Sequence, residues 1–525
     1  MKFATLLFFP LIACAQIQEI SADRIRVQTK FLASDLLEGR GVGTRGGDLA
    51  TEYIAAQLAL AGAKPAAANG SFFQTVPLVG VETKGKETRL SAYGKGKEID
   101  FRWGDEFVGG THRQQAQSDF EAEAIFVGHG ISAPEFNWDD YKDTDVRGKV
   151  VVLFTNEPAS NDPNFFGGRA LTYYGRWTYK YEEATRRGAA ACIIVHTVPT
   201  AGYGWATVQP SWSKEDPQVR LAPGEKALAF AGWINTASAE KFFAATGHTL
   251  DEMLKLAETP GFRPISLNFK FRGRIASTIR EISTRNVAAI IPGSDPQHEA
   301  ETVLYTAHWD HLGIGPAVKG DAIYNGAVDN ATGCAIVLEI ARAWAALPHR
   351  PRRSAMFVFV TAEESGLRGS EFYGTHPLVP ADRTAVNLNF DAFEPFGVTK
   401  DLILTGAEKT SIWPLVQQVA KRYRYEIKPD PRPEQGSYFR SDHFSLARIG
   451  IPAFSVESGN EFWGKPAGFG DKAFEEFNDK HYHQPSDEYH DDWDFSGLQQ
   501  VARFGLTLGM EIANQEKMPD RLKTN

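Results

Sequence analysis

From Asn286 onward the chain alternates short apolar runs with amphipathic ones, and the apolar runs keep ending on a histidine or a carboxylate. The run at 302–306 leads into Ala307-His308-Trp309-Asp310-His311, and the next segment brings Gly326-Ala-Val-Asp329-Asn330 just before a helical pattern at 334–347. The apolar run at 355–361 leads into Ala362-Glu363-Glu364, the one at 386–390 into Asp391, and a late segment reads His481-Tyr482-His483. Further strand-like runs lie at 402–405 and 452–456, with helical patterns at 412–423 and 498–512. Strands alternating with helices predict an α/β fold, a mixed and mostly parallel sheet flanked by helices on both faces. In such sheets ligands collect beyond the C-terminal ends of the strands, where these polar residues fall.

At 525 residues the chain is too long for one ordinary core and calls for two or three domains. Residues 22–62 read as helical around a glycine-rich break, Glu38 to Gly47, which lacks the preceding strand and Lys-Ser/Thr ending of a phosphate loop and reads as a connection. From about residue 72 the pattern changes to short strands at 73–79, 124–127, 149–154 and 191–195, with one helix at 181–187. This middle third has no clustered ligand set and reads as an inserted β-rich domain. The expected division is 1–15 as signal, 20–72 as the N-terminal part of a catalytic domain, 73–284 as the insert and 285–516 as the catalytic domain proper.

Lys2 followed by the apolar stretch 3–13 predicts an export signal too short to span a bilayer. Two processing routes fit it. Ala13-Cys14-Ala15 is a small-x-small cleavage site, and Leu11-Ile12-Ala13-Cys14 resembles a bacterial lipoprotein box that would acylate Cys14. No later stretch predicts a membrane span, so the expectation is an exported protein: periplasmic, extracellular, or lipid-anchored to the outer membrane if bacterial. The net charge of −9 leaves no basic surplus for nucleic acid. Cys192 and Cys334 sit in apolar contexts and read as packing residues, so metal chemistry must come from His, Asp and Glu.

Without thiolates, zinc takes imidazole and carboxylate, and a catalytic ion keeps a position open for water. Two ions about 3.5–4 Å apart need a shared acid, a histidine and an acid for each, and one more carboxylate as base. The strand-end set supplies that number. If Glu363 and Glu364 continue a strand, their side chains point opposite ways, one toward metal and the other toward water. On chemistry alone Asp321 competes as the bridge, and His311 and His481 compete as ligands. A serine hydrolase is disfavoured, because no Gly-x-Ser-x-Gly elbow occurs.

These motifs resemble the co-catalytic zinc peptidases that include aminopeptidase Y and glutamate carboxypeptidase II. The likeness extends to Leu32-Ala-Ser-Asp-Leu-Leu-Glu-Gly-Arg40 and to a protease-associated domain around Val146-Arg-Gly-Lys-Val-Val-Val-Leu153 and Gly188-Ala-Ala-Ala-Cys-Ile-Ile194. The resemblance implies two Zn²⁺ per chain, with His308 and Asp391 on the first, Glu364 and His483 on the second, and Asp329 bridging before a cis peptide to Asn330. It implies Asp310 orienting His308, Glu363 as general base and Tyr482 as donor to the oxyanion. The segment 436–444 is expected to face the site, with Asp442, His443 and Arg440 as substrate contacts. A peptide substrate cleaved from its amino end is the favoured expectation. The alternatives are a carboxypeptidase of the glutamate carboxypeptidase type, a glutaminyl cyclase-like transferase, and a non-catalytic receptor-like ectodomain.

Overall fold

The computed structural model describes residues 20–523; the export-signal and Cys14 readings lie outside them. The chain divides into two compact units. One comprises residues up to Pro77, Ser283–Pro431 and Arg440 onward; the other comprises Leu78–Ile282 together with Arg432–Phe439.

The first unit is built from α1 (Ala22–Leu32), α2 (Arg45–Leu60), the end of the long strand β1 (Ile265–Ile291), β2 (Thr302–His308), α3 (Gly333–Ala345), β3 (Ser354–Val360), α4 (Arg368–Thr375), β4 (Thr384–Phe390), β5 (Asp401–Ile403), β6 (Glu426–Lys428), α5 (His443–Ala447), β7 (Ala453–Ser458), α6 (Phe469–Lys480) and α7 (Ser496–Asn514). Its sheet runs β1-β3-β2-β4-β7-β5-β6. The central pairs β3/β2, β2/β4 and β4/β7 are parallel, whereas β1 and β5 enter antiparallel. Every residue of β2, β3 and β4 is buried, which accounts for continuous apolar runs in place of alternation.

Alternation within those runs assigns the layers. Val303, Tyr305 and Ala307 share a core with Phe357, Phe359 and the apolar faces of α1, α2, α3 and α7. On the other face the Tyr373 hydroxyl of α4 reaches the Met356 sulfur at 3.6 Å, and Ser370 bonds Ser445 of α5 at 3.0 Å. Close approach of α7 to the sheet depends on Gly509, where an added Cβ would lie 1.8 Å from the Tyr305 hydroxyl.

The second unit is more helical than its sequence suggested. Its sheet orders Lys97–Phe101, Arg89–Gly94, the first half of β1, Gln117–Phe126, Val150–Phe154, Ala191–Val195, Phe230–Ile234 and Phe107–Gly110. The steps from Gln117–Phe126 to Phe230–Ile234 are parallel. Besides the expected helix, here Trp177–Arg186, it contains Thr236–Thr246 and Leu250–Ala257. Segment 432–439 joins this unit through Leu171 N–H donating to the Pro433 carbonyl at 3.0 Å and a Tyr173–Phe439 ring contact at 5.8 Å. Sequence had placed it with the catalytic part. Among the described residues no helix is long and apolar enough to cross a membrane, and Cys192 and Cys334 are free and buried.

Candidate metal centre

Parallel pairing brings His308, at the end of β2, beside Val360 of β3, and Thr306 beside Asn389 of β4, so neighbouring strand ends deliver their polar residues to one place. Three overlapping donor groups result: His308 with Asp329 and Asp391, His311 with Asp329 and Glu364, and His308 with Glu363 and Glu364, each with ligand atoms within 4.8 Å of one another.

Asp329 sits between imidazoles. Its Oδ1 lies 3.1 Å from His308 Nε2, and its Oδ2 lies 3.5 Å from His483 Nε2. His308 Nε2 also lies 3.0 Å from Asp391 Oδ1, and His483 Nε2 lies 2.9 Å from Glu364 Oε2. The Asp329–Asn330 peptide is cis. Asn330 ties the segment to the end of β4, donating to the Phe390 carbonyl at 3.0 Å and accepting from Ala392 N–H at 3.2 Å.

Supporting contacts differ from the expected ones in four respects. First, Ala362 adopts φ +52, so Glu363 and Glu364 lie in a turn beyond β3; the turn, not strand alternation, separates their side chains. Second, the His308 ring contacts the backbone carbonyl of Asp310 (Nδ1 to O, 3.1 Å), while the Asp310 carboxylate accepts from Glu363 N–H at 3.1 Å. Asp310 thus holds both a ligand candidate, His308, and the base candidate, Glu363. Third, His311 is fully buried with Nδ1 2.6 Å from Glu364 Oε1, inside the cluster where sequence had ranked it as a rival. Fourth, Asp442 and His443 are buried with no exposed surface, as α5 begins, whereas Arg440 is exposed. Direct substrate contact by Asp442 and His443 is therefore not what this arrangement offers.

The remaining rivals fall away from the cluster. Asp321 is exposed on the hairpin of Gly313–Val318 and Asp321–Tyr324, where it accepts from Ile323 N–H. His481 contacts Ser486.

Three positioning residues went unread in the sequence. Asp487 accepts from the N–H groups of Val328 and Asp329 at 2.9 and 3.1 Å. Ser441 donates to Asp391 Oδ2 at 2.6 Å and accepts from Asn389 at 2.8 Å. Arg40 is buried and donates to the carbonyls of Trp309, Asn325 and Gly326, bracing the approaches to both His308 and Asp329. The only signals for them were proximity, Asp487 four residues after His483 and Ser441 beside Asp442, and the end of the resemblance segment at Arg40.

The electrostatics are those of a cation site. Burial pushes the Glu363 carboxyl well above the usual range, with Asp391 and Glu364 adding to it against the pull of His308. Burial opposes protonation of His483, yet Glu364 and Asp329 raise it to about 10. His308 is likewise held well above its ordinary value, against burial, by Asp391, Glu363 and Asp329. Carboxylates outnumber the imidazoles and Arg40, a charge balance that dications would meet. Oxygen and nitrogen donors on both sides of one shared carboxylate fit two zinc ions.

Comparison with known proteins agrees with this reading. Residues 286–508 match the profile of Peptidase family M28. Aminopeptidase YwaD from Bacillus subtilis is 26% identical over 250 residues, covering 46% of this chain and 47% of its own. Leupeptin-inactivating enzyme 1 from Streptomyces exfoliatus is 27% identical over 218 residues, 38% of this chain and 42% of that enzyme. The chain thus spans less than half the length of these curated relatives. In fold it is similar to the aminopeptidase from Aneurinibacillus sp. strain AM-1, with a TM-score of 0.50, 18% identity and 98% of each chain covered. Over residues 286–508 the chain is similar to Peptidase family M28, and that stretch carries the three donor groups described above.

Proposed function

We propose that the protein is a two-zinc aminopeptidase that removes residues from the amino end of peptides. The observation that carries this reading is Asp329 facing two imidazoles with its two oxygens, His308 on one side and His483 on the other. His308 and Asp391 would hold one ion, Glu364 and His483 the other, and Asp329 both. Bound there, the ions would polarise the scissile carbonyl and acidify water at neutral pH.

The chain's own residues supply the proton and charge handling. Glu363, with a carboxyl kept basic by burial, takes a proton from the attacking water and passes it to the leaving amine. Asp310 fixes that base by its backbone N–H. Tyr482 stacks on His483 with ring centroids 3.9 Å apart, and burial together with Asp329 and Glu364 raises its phenol well above the ordinary value. It therefore stays a neutral donor, suited to the oxyanion that develops on the carbonyl. His311, against Glu364, positions that ligand.

A carboxypeptidase needs a cationic side chain to receive the substrate's terminal carboxylate. Arg440 is the one cation expected there from sequence, and it is exposed. Two of the similar proteins are named aminopeptidases.

The test is hydrolysis of aminoacyl-anilides, N-blocked peptides and peptides ending in C-terminal glutamate. Release from free-amine substrates alone supports the proposal. Cleavage confined to N-blocked, acid-ended peptides would replace it with a carboxypeptidase, and cyclisation of N-terminal glutamine with a transferase.

A further inference from the structure

In the second unit the parallel strands Val150–Phe154, Ala191–Val195 and Phe230–Ile234 start level with one another, Val150 opposite Ala191 and Ala191 opposite Phe230. The residues just before each strand therefore gather at one edge of the sheet: Arg147 with Gly148, the run from Gly188 to Ala190, and Lys226 with Ala227. Phe107–Gly110 runs antiparallel to Phe230–Ile234, with Gly110 opposite Ala231, so the chain leaves it at the same edge and brings Arg113 there. The N–H of His112 fixes that exit by donating to the Leu228 carbonyl at 3.1 Å. Together these segments line a cavity of about 360 Å³, a volume within the range of small-molecule sites.

The cavity has a small apolar floor and a cationic rim. Ala189, Ala190 and Ala227 offer it only methyl groups, and a Cβ added at Gly148 would meet nothing within 4 Å. Gly148 and Gly188 are both left-handed, at φ +70 and +73, so the chain turns into each strand without placing a side chain in this space. Arg113, Arg147 and Lys226 line the cavity, and no acidic residue does. Arg147 is shared with Asp145, 2.6 Å from its guanidinium. Among the described residues Arg113 and Lys226 are not paired with any carboxylate. A chain whose net charge is −9 thus collects three cations around one small cavity.

The backbone narrows the choice of anion. The N–H groups of Gly148, Gly188, Ala189 and Ala190 are spent on the carbonyls of Gly188, Thr185, Ala184 and Lys149, at 2.9, 2.9, 3.0 and 2.8 Å. These amides are not free to cradle a phosphate, the anion that backbone N–H groups characteristically receive. What remains is guanidinium and ammonium around methyl groups, a match for a carboxylate on a short apolar stem.

We propose that this cavity binds the carboxylate end of a small peptide. Arg113 and Lys226 receive the carboxylate, and the floor of Ala189, Ala190 and Ala227 takes a small terminal side chain. No residue of the cavity belongs to the metal centre, so binding here is independent of the direction of cleavage.

The test is calorimetric titration of the full-length, zinc-loaded protein with acetyl-Ala-Ala, with its C-terminal amide and with inorganic phosphate. Arg113→Gln and Lys226→Gln each remove one cation, whereas Ala227→Leu fills the floor and keeps every charge. Thermal unfolding and turnover of an aminoacyl-anilide at wild-type values show that fold and metal centre are intact in the three variants. Acetyl-Ala-Ala is expected to bind about tenfold more tightly than either the amide or phosphate, and each variant to weaken it about tenfold. Absence of binding, or equal affinity for the acid and its amide or for phosphate, overturns the proposal. Affinity unchanged in all three variants overturns it in favour of the zinc ions as the carboxylate's site. Affinity lost with the cations but kept in Ala227→Leu overturns it in favour of diffuse surface charge.

Discussion

Asp487 holds Asp329 by the backbone: its two carboxylate oxygens accept the N–H groups of Val328 and Asp329, at 2.9 and 3.1 Å. The proposed shared ligand is therefore aimed by a residue 158 positions away in sequence. Asp487→Asn places an amide N–H₂ against one of those donors. The expected cost is about 1–3 kcal/mol of stability, with zinc affinity lowered about 10- to 100-fold. Thermal unfolding and metal titration check both; unchanged zinc affinity would remove Asp487 from the centre.

Glu363→Gln keeps the side chain's shape and removes its capacity as a base. Zinc content should stay at the wild-type value, while kcat falls about 100- to 10,000-fold. Retained turnover would transfer the base role to another group.

The two imidazoles beside Glu364 are expected to differ. His483→Ala loses one metal equivalent. His311→Gln retains both and lowers turnover, because His311 contacts Glu364 Oε1 from within the core. Elemental analysis of the two variants decides between the roles, and the reverse pattern would make His311 the ligand. Asp321→Asn, on the exposed hairpin, should leave metal content unchanged, whereas Asp329→Asn should reduce it.

Metal and protons compete for the same nitrogens. His483 is raised to about 10 against an ordinary 6.5, so it carries a proton at pH 7 in the chelated protein. Zinc requires it neutral. Binding therefore releases protons, and apparent affinity rises with pH up to about 10, by about tenfold per unit for each proton displaced. The sign for stability is opposite. The chelated fold's imidazolium–carboxylate pairs are fully stabilising below about 6.5, and that contribution is lost as pH rises through about 10. Calorimetry in buffers of different ionisation enthalpy measures the release, and a buffer-independent heat would contradict it.

The strand series and its polar ends were legible in sequence because β2, β3 and β4 are buried on both faces and so read as unbroken apolar runs. Their parallel register then brought His308 and Asp391 together without further information. What sequence could not carry was contact between distant segments. Nothing periodic marks Asp487 for Asp329, Arg40 for the Trp309 carbonyl, or Pro433 for Leu171. The helices Thr236–Thr246 and Leu250–Ala257 were missed beside more conspicuous strands, although Thr249 and Glu252 form a capping box. The geometry of Glu363 and Glu364 escaped because it depends on one left-handed residue, Ala362, at a position where glycine would have signalled the turn.

The most direct measurement is metal content against activity in one preparation. The protein is stripped with a chelator, zinc is returned in steps, and release of leucine from its anilide is followed beside elemental analysis. Two zinc ions per chain, with activity absent in the stripped protein and restored as they bind, is the predicted result. Full activity without metal, or two bound zinc ions with no release from any free-amine substrate, would contradict the two-zinc aminopeptidase.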